Sequence, residues 1–178
     1  MKKLIIISVI LLYFVSGCKK DEDDPAPRSG TVTIDNSLKG DQFSGYYAFG
    51  FSFVLGNKIS TIENPPPDIT IDNGSAFDNL IFVNDNNIPS FFKAGEYADA
   101  ASAGQAFKAL TSATVTQWSG IGQSVKPNQV WLYRSDNEKY AKLLVISTKA
   151  EQRSDRDYAE CTFEWDYQPD GTLTFPAN

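Results

Sequence analysis

Tyr158-Ala159-Glu160-Cys161-Thr162-Phe163-Glu164-Trp165-Asp166-Tyr167 decides the fold class. Ala159, Cys161, Phe163, Trp165 and Tyr167 fall on one parity, and Tyr158, Glu160, Thr162, Glu164 and Asp166 on the other. Side chains alternate along a strand with a period of two, so this is a strand with one face on a core and one in water. Glu160, Glu164 and Asp166 then read as a solvated outer face. The other reading, an acid pair for glycoside hydrolysis, is set aside because they alternate with an apolar side. Cys161 reads as a small buried hydrophobe rather than a reactive thiol.

The neighbouring stretches extend the pattern. Val130 to Arg134 is a strand, Ser135 to Glu138 a polar turn, and Tyr140 to Ile146 the longest apolar-rich run after the leader. Lys149 to Asp157 is a charged loop, and Pro169-Asp170-Gly171 a turn before Leu173 and Phe175. Upstream, Thr31 to Ile34 is a short strand. Tyr47, Phe49, Phe51, Phe53 and Leu55 form an aromatic face expected to point into the core. Gly56-Asn57 turns that strand into Ile59 to Ile62, which makes a hairpin. Pro65-Pro66-Pro67 forbids a central strand. Ile69 to Ile71 and Phe77 to Val83 flank a turn at Asp72-Asn73-Gly74, and Asn84 to Asn87 is another turn. Ile88 to Lys126 is the least regular part, and its spacing of Ala103, Ala106, Phe107 and Leu110 predicts one helix, Ser102 to Leu110. Strands at close spacing with Gly, Pro and Asn turns predict an all-β sandwich or open barrel with one short helix, over residues 30–178.

The other end carries a leader. Met1-Lys2-Lys3 is followed by the apolar run Leu4 to Val15 and by Val15-Ser16-Gly17-Cys18. That run of 12 residues is shorter than the roughly 20 needed to span a bilayer. Small residues just before a cysteine form a lipoprotein box: residues 1–17 are expected to be removed and Cys18 to carry a lipid. Removing them leaves 14 basic residues against 22 acidic ones, a net charge of −8. An acidic surface speaks against nucleic acid and anionic headgroups as partners. Residues 18–29 are charged and Pro-flanked, with no large apolar residue, and read as a disordered tether.

The chain contains no His, and its one Met is Met1. Ser-His-Asp and Cys-His catalysis and His-containing zinc sites are thereby excluded. Gly120-Ile121-Gly122 lacks the third Gly of a nucleotide loop. The Asp- and Asn-rich turns lack the spacing and terminal Glu of a calcium loop. No enzyme activity and no metal cluster are expected. Phe91, Phe92, Tyr97 and Trp118 concentrate aromatic surface in the irregular segment, where a flat apolar ligand would stack.

Cys18-Lys19-Lys20-Asp21-Glu22 resembles the export signal of Bacteroidetes surface lipoproteins, which implies an outer-membrane lipoprotein facing the cell surface. Val130 to Ser135, Lys139 to Leu143 and Thr162 to Gly171 are similar to the HmuY-like haem-binding lipoproteins of Bacteroidetes. Phe77-Asp78-Asn79-Leu80-Ile81-Phe82 resembles that family's Trp-Asp-x-x-Phe strand, with Phe for Trp, and Tyr46-Tyr47 fits its first hairpin. The resemblance implies an all-β protein that takes haem beside a TonB-dependent receptor. Family members hold the iron with paired His or with Met, and the mature chain has neither. Either the porphyrin is held by stacking alone or a Tyr ligates the iron, and Tyr97, the only Tyr of the irregular segment, is then the preferred ligand, with Phe91, Phe92 and Trp118 around the porphyrin. Two other readings stay open: a glycan-binding surface lipoprotein, and an HmuY-like fold that no longer binds haem.

Overall fold

The computed structural model describes residues 26–76, 78–84 and 88–176. The leader, Cys18, most of the tether, Phe77 and Asp85 to Asn87 lie outside these residues. Nine strands and one helix follow one another among the described residues. They are β1 (Ser29–Asp41), β2 (Gly45–Ser52), β3 (Asn57–Ser60), β4 (Thr70–Asn73), β5 (Leu80–Val83), β6 (Phe91–Glu96), α1 (Ala100–Ala109), β7 (Gln129–Arg134), β8 (Tyr140–Glu151) and β9 (Tyr158–Gln168). Seven of the strands form one sheet in the order β3-β2-β1-β9-β8-β7-β6, and β4 and β5 form a separate hairpin. All pairings are antiparallel.

Single backbone bridges join β6 to β2 by way of the β4–β5 hairpin into a ring, with β3 outside it. Phe91 of β6 exchanges hydrogen bonds with Ser119 (2.8 and 2.9 Å), and Gly122 does so with Phe82 of β5 (2.9 and 3.0 Å). β1 leaves β2 at the Asp35–Phe49 pair, and Ile69 takes its place beside Phe51 (2.9 and 3.2 Å). The all-β expectation is met, and the bridges turn the open barrel into an irregular closed one. Closure matters energetically because an unpaired sheet edge leaves a row of backbone donors and acceptors without partners.

The interior is aromatic. Phe51, Phe53, Phe82, Phe91, Tyr133, Phe163 and Trp165 are buried there, with ring centroids 4.9 to 6.1 Å apart in mostly edge-on or tilted pairs. Ala159, Cys161, Phe163 and Trp165 of β9 all face this core, as their alternation predicts. Cys161 is free and fully enclosed, and burial pushes its thiol far above the ordinary range. Iodoacetamide should therefore leave Cys161 unlabelled in the native protein and label it fully in denaturant; rapid native labelling would contradict this packing.

Four expectations need correction. The aromatic face of the second strand is only half buried: Phe51 and Phe53 are in the core, while Phe49 is 36% and Leu55 48% exposed. β1 pairs with β9 only from Ser29 to Asp35, but continues with β2 to Asp41. The far half of that hairpin therefore lies beyond the sheet, and Phe49 rests on Asp35, Lys39 and Lys58 at the surface. Second, the segment expected to be irregular contains β6, whose alternation is hidden by a bulge between Lys93 and Gly95. Third, α1 begins at Ala100, because Asp99 caps it by accepting the Ser102 amide (2.8 Å).

Fourth, Asp166 is buried rather than solvated. α1 lies on the outer face of β7 and β8, where Ala103 and Phe107 pack on Val130 and Leu144. Lys142, with no solvent exposure, stands beneath the helix end. Its ammonium donates to the carbonyls of Phe107 (2.9 Å) and Leu110 (3.3 Å) and pairs with Asp166 (3.2 Å). The last carbonyls of a helix have no partner within it, and Lys142 supplies one.

Candidate functional site

A cleft of about 970 Å³ opens at the end of the barrel where β1 begins. Its walls come from four separate parts of the chain. The stiff run Pro65-Pro66-Pro67 makes one wall, and Val54 and Leu55 of the β2–β3 turn flank it. That turn needs Gly56 at φ +63°, and a Cβ there would come within 2.9 Å of the Pro27 carbonyl oxygen. Pro27 is thus clamped over the turn, and Ala26 to Arg28 close the cleft on their side. Tyr167 and Pro169 enter from the end of β9, and Ser135 to Lys139 from the β7–β8 turn. The Tyr167 amide donates to the Arg28 carbonyl (2.6 Å), and the Lys139 ammonium donates to the Pro169 carbonyl.

Asp68 is the acid built into this cleft. It follows the three prolines, and its carboxylate is held by rigid neighbours. Oδ2 accepts the Phe53 amide (2.8 Å), and Oδ1 accepts the Tyr133 hydroxyl (3.2 Å). Burial pushes its carboxyl above the ordinary range, against the lowering effect of those donors and of the Ser52 hydroxyl, and the like charge of Asp136 adds to the rise. The Tyr167 phenol is also pushed up, mainly by burial and then by the charge of Asp68, with Arg28 opposing. Tyr167 stacks on Phe53 (6.3 Å, 15°), so its ring is fixed by the core. The arrangement can bind a molecule with an apolar body and one polar end.

The four aromatics expected to form the site are divided among three places. Phe91 and Phe92 are adjacent in a strand and so face opposite ways. Phe91 is fully buried against Phe82 (6.1 Å) and Tyr133 (5.7 Å), inside the barrel. Phe92 lies on the outside with Trp118 (6.4 Å), which also stacks on Tyr140 (6.1 Å) beneath the Arg134 guanidinium (5.1 Å). Tyr97 packs at the seam between α1 and the sheet, and its hydroxyl sits so close to Gly95 that a Cβ there would be 2.5 Å from it. An open cleft of about 1000 Å³ does lie beside Phe91, Phe92, Lys93, Gln117 and Ile121, but neither Tyr97 nor Trp118 is part of its wall.

Iron ligation by Tyr97 would need its phenol oxygen to face a slot that admits a porphyrin. That oxygen faces Gly95 in the helix–sheet seam instead, and Phe91 is walled into the core. These residues do not fit haem as a group. What sequence reading missed was Asp68: a carboxylate between a proline run and the apolar pair Ile69 and Ile71 is the one local sign that it would be drawn inward. No protein-family model matches the chain, and no curated protein matches it significantly.

Proposed function

We propose that the chain is a non-catalytic binding lipoprotein of HmuY-like fold, held by lipid on Cys18 at the outer face of the outer membrane. Its ligand is a small, largely apolar molecule taken into the cleft between Pro65-Pro66-Pro67 and Tyr167, for delivery to an outer-membrane receptor. The observation that carries this reading is the cleft: at about 970 Å³ it falls within the roughly 300–1,000 Å³ of small-molecule sites, and prolines, Val54 and Leu55 give it apolar walls, with Arg28, Asp68, Asp136 and Lys139 as its charged groups. The lipoprotein box and the surface-export resemblance support the location, and the all-β barrel is compatible with the family resemblance. Haem held through Tyr97 is not part of this reading, because the phenol lines neither of these two clefts and packs in the helix–sheet seam.

Two measurements on the lipidated protein in nanodiscs test it. In a ligand-observed NMR screen of small apolar fragments, binders should lose about tenfold in affinity in Leu55→Arg, which puts a long charged chain on an exposed part of the wall. Binding that ignores Leu55→Arg, or a glycan array that lights up while no fragment binds, would reject the cleft. In a haemin titration, Tyr97→Phe should give the same visible spectrum as the native protein. A Soret band that depends on Tyr97 would restore the haem reading.

A further inference from the structure

We infer that the cleft selects a positively charged ligand, an organic amine on an apolar body whose ammonium docks on the carboxylate of Asp68. This rests on the cleft being the ligand site, and it adds the chemical class. Asp68 lines the cleft wall and is oriented on two sides, by the Phe53 amide and the Tyr133 hydroxyl. These partners, with the Ser52 hydroxyl, need only a neutral amide: its oxygen would accept the Phe53 N–H, and its NH₂ would donate to the hydroxyl oxygens. The negative charge is therefore surplus to the fold, and a half-buried charge costs stability unless something answers it.

No cation among the described residues pairs with it. Among the described residues none of the ion pairs involves Asp68. Of the two cations lining the cleft, the Lys139 ammonium donates to the Pro169 carbonyl, and Arg28 makes no ion pair with Asp68. The charge that does act on Asp68 through space is the like charge of Asp136. Two carboxylates thus face a space walled by prolines and by Tyr167, whose ring can contact the body of an organic cation. An anionic ligand would meet Asp68 unpaired, and a neutral one would leave its charge unanswered.

The test uses the lipidated protein in nanodiscs of zwitterionic lipid, with empty discs as the blank, and three probes of one shape: 4-phenylbutylamine, 4-phenylbutanol and 4-phenylbutyrate. Calorimetry should show the amine binding about tenfold or more tighter than the alcohol, and the acid weakest, since a hydrogen bond to a charged group exceeds a neutral one by about that factor. Asp68→Asn should abolish the preference and leave the alcohol bound. Should Asp68→Asn fail to fold, acidification of the native protein from pH 7 to about pH 4 serves instead. The preference should fade as Asp68 takes up its proton, while binding of the alcohol stays unchanged. Equal affinity for amine and alcohol, or a preference that persists in Asp68→Asn or through acidification, overturns the inference and leaves the cleft standing. Binding of none of the three probes removes the cleft reading itself, and the inference with it.

Discussion

Lys142→Ala is expected to destabilise the protein by about 3–5 kcal/mol, the range found when one partner of a buried ion pair is removed. Lys142 has no solvent exposure, and three oxygens depend on its ammonium: the carbonyls of Phe107 and Leu110 and a carboxylate oxygen of Asp166. Its charge also lies over the Phe107 ring (4.6 Å). Truncation takes away the ammonium partner of a buried carboxylate and reopens the end of α1. Lys142→Met keeps the stem but not the charge and should remain costly, whereas Lys142→Met with Asp166→Asn should recover part of the loss. For a domain of this size the Ala variant should melt about 10 °C lower. Hydrogen exchange gives a local check, because amides of α1 should open before those of β8 and β9. A loss below about 1 kcal/mol would show that this ion pair is not holding the helix on the sheet.

Trp165→Ala should cost a similar amount, about 3–5 kcal/mol, by a different route. Trp165 is 2% exposed, and its ring lies 4.9 Å from Phe51 and 5.9 Å from Phe53, at the junction where β2 passes from β1 to Ile69. Removing it leaves a void bounded by rings already fixed by Phe163 and Tyr133, so little collapse can fill the space. Trp165→Phe retains most of the volume and should cost less than about 2 kcal/mol. Phe43→Ala is the control, since Phe43 is 90% exposed at the tip of the β1–β2 hairpin and should change stability by no more than about 0.5 kcal/mol. Guanidinium denaturation compares all three. If Trp165→Ala is as mild as Phe43→Ala, the aromatic interior is not where the stability resides.

Much of the barrel could be read locally because strand alternation is a local property. The apolar parity of Ala159 to Trp165 names the core face of β9 whatever the strand pairs with, and turn residues such as Gly171, at φ +81°, mark their own positions. The same reading assigned Phe49 to the core and Asp166 to water, and both were wrong for one reason. Periodicity separates the two faces of a strand but does not say what covers each of them. The end of β9 meets Lys142 beneath the end of α1, so its polar face is buried at Asp166, and β2 outruns β9, so its aromatic face is bare at Phe49.

The expected site dispersed for a related reason. Phe91, Phe92, Tyr97 and Trp118 are near in sequence, but a strand with a bulge and a helix turn them into the core, onto the outer face and into the helix seam. By itself, then, the sequence determined the fold class, the burial of Cys161, the lack of His chemistry and the places of most strands and turns, because each depends on residues within one turn or one strand of each other. Only the tertiary structure decided the cleft. Its walls, around residues 26–28, 54–55, 65–68, 135–139 and 167–169, meet through the β1–β9 and β7–β8 pairings, and Asp68 acquires its surplus charge only where Phe53 and Tyr133 already satisfy its hydrogen bonds.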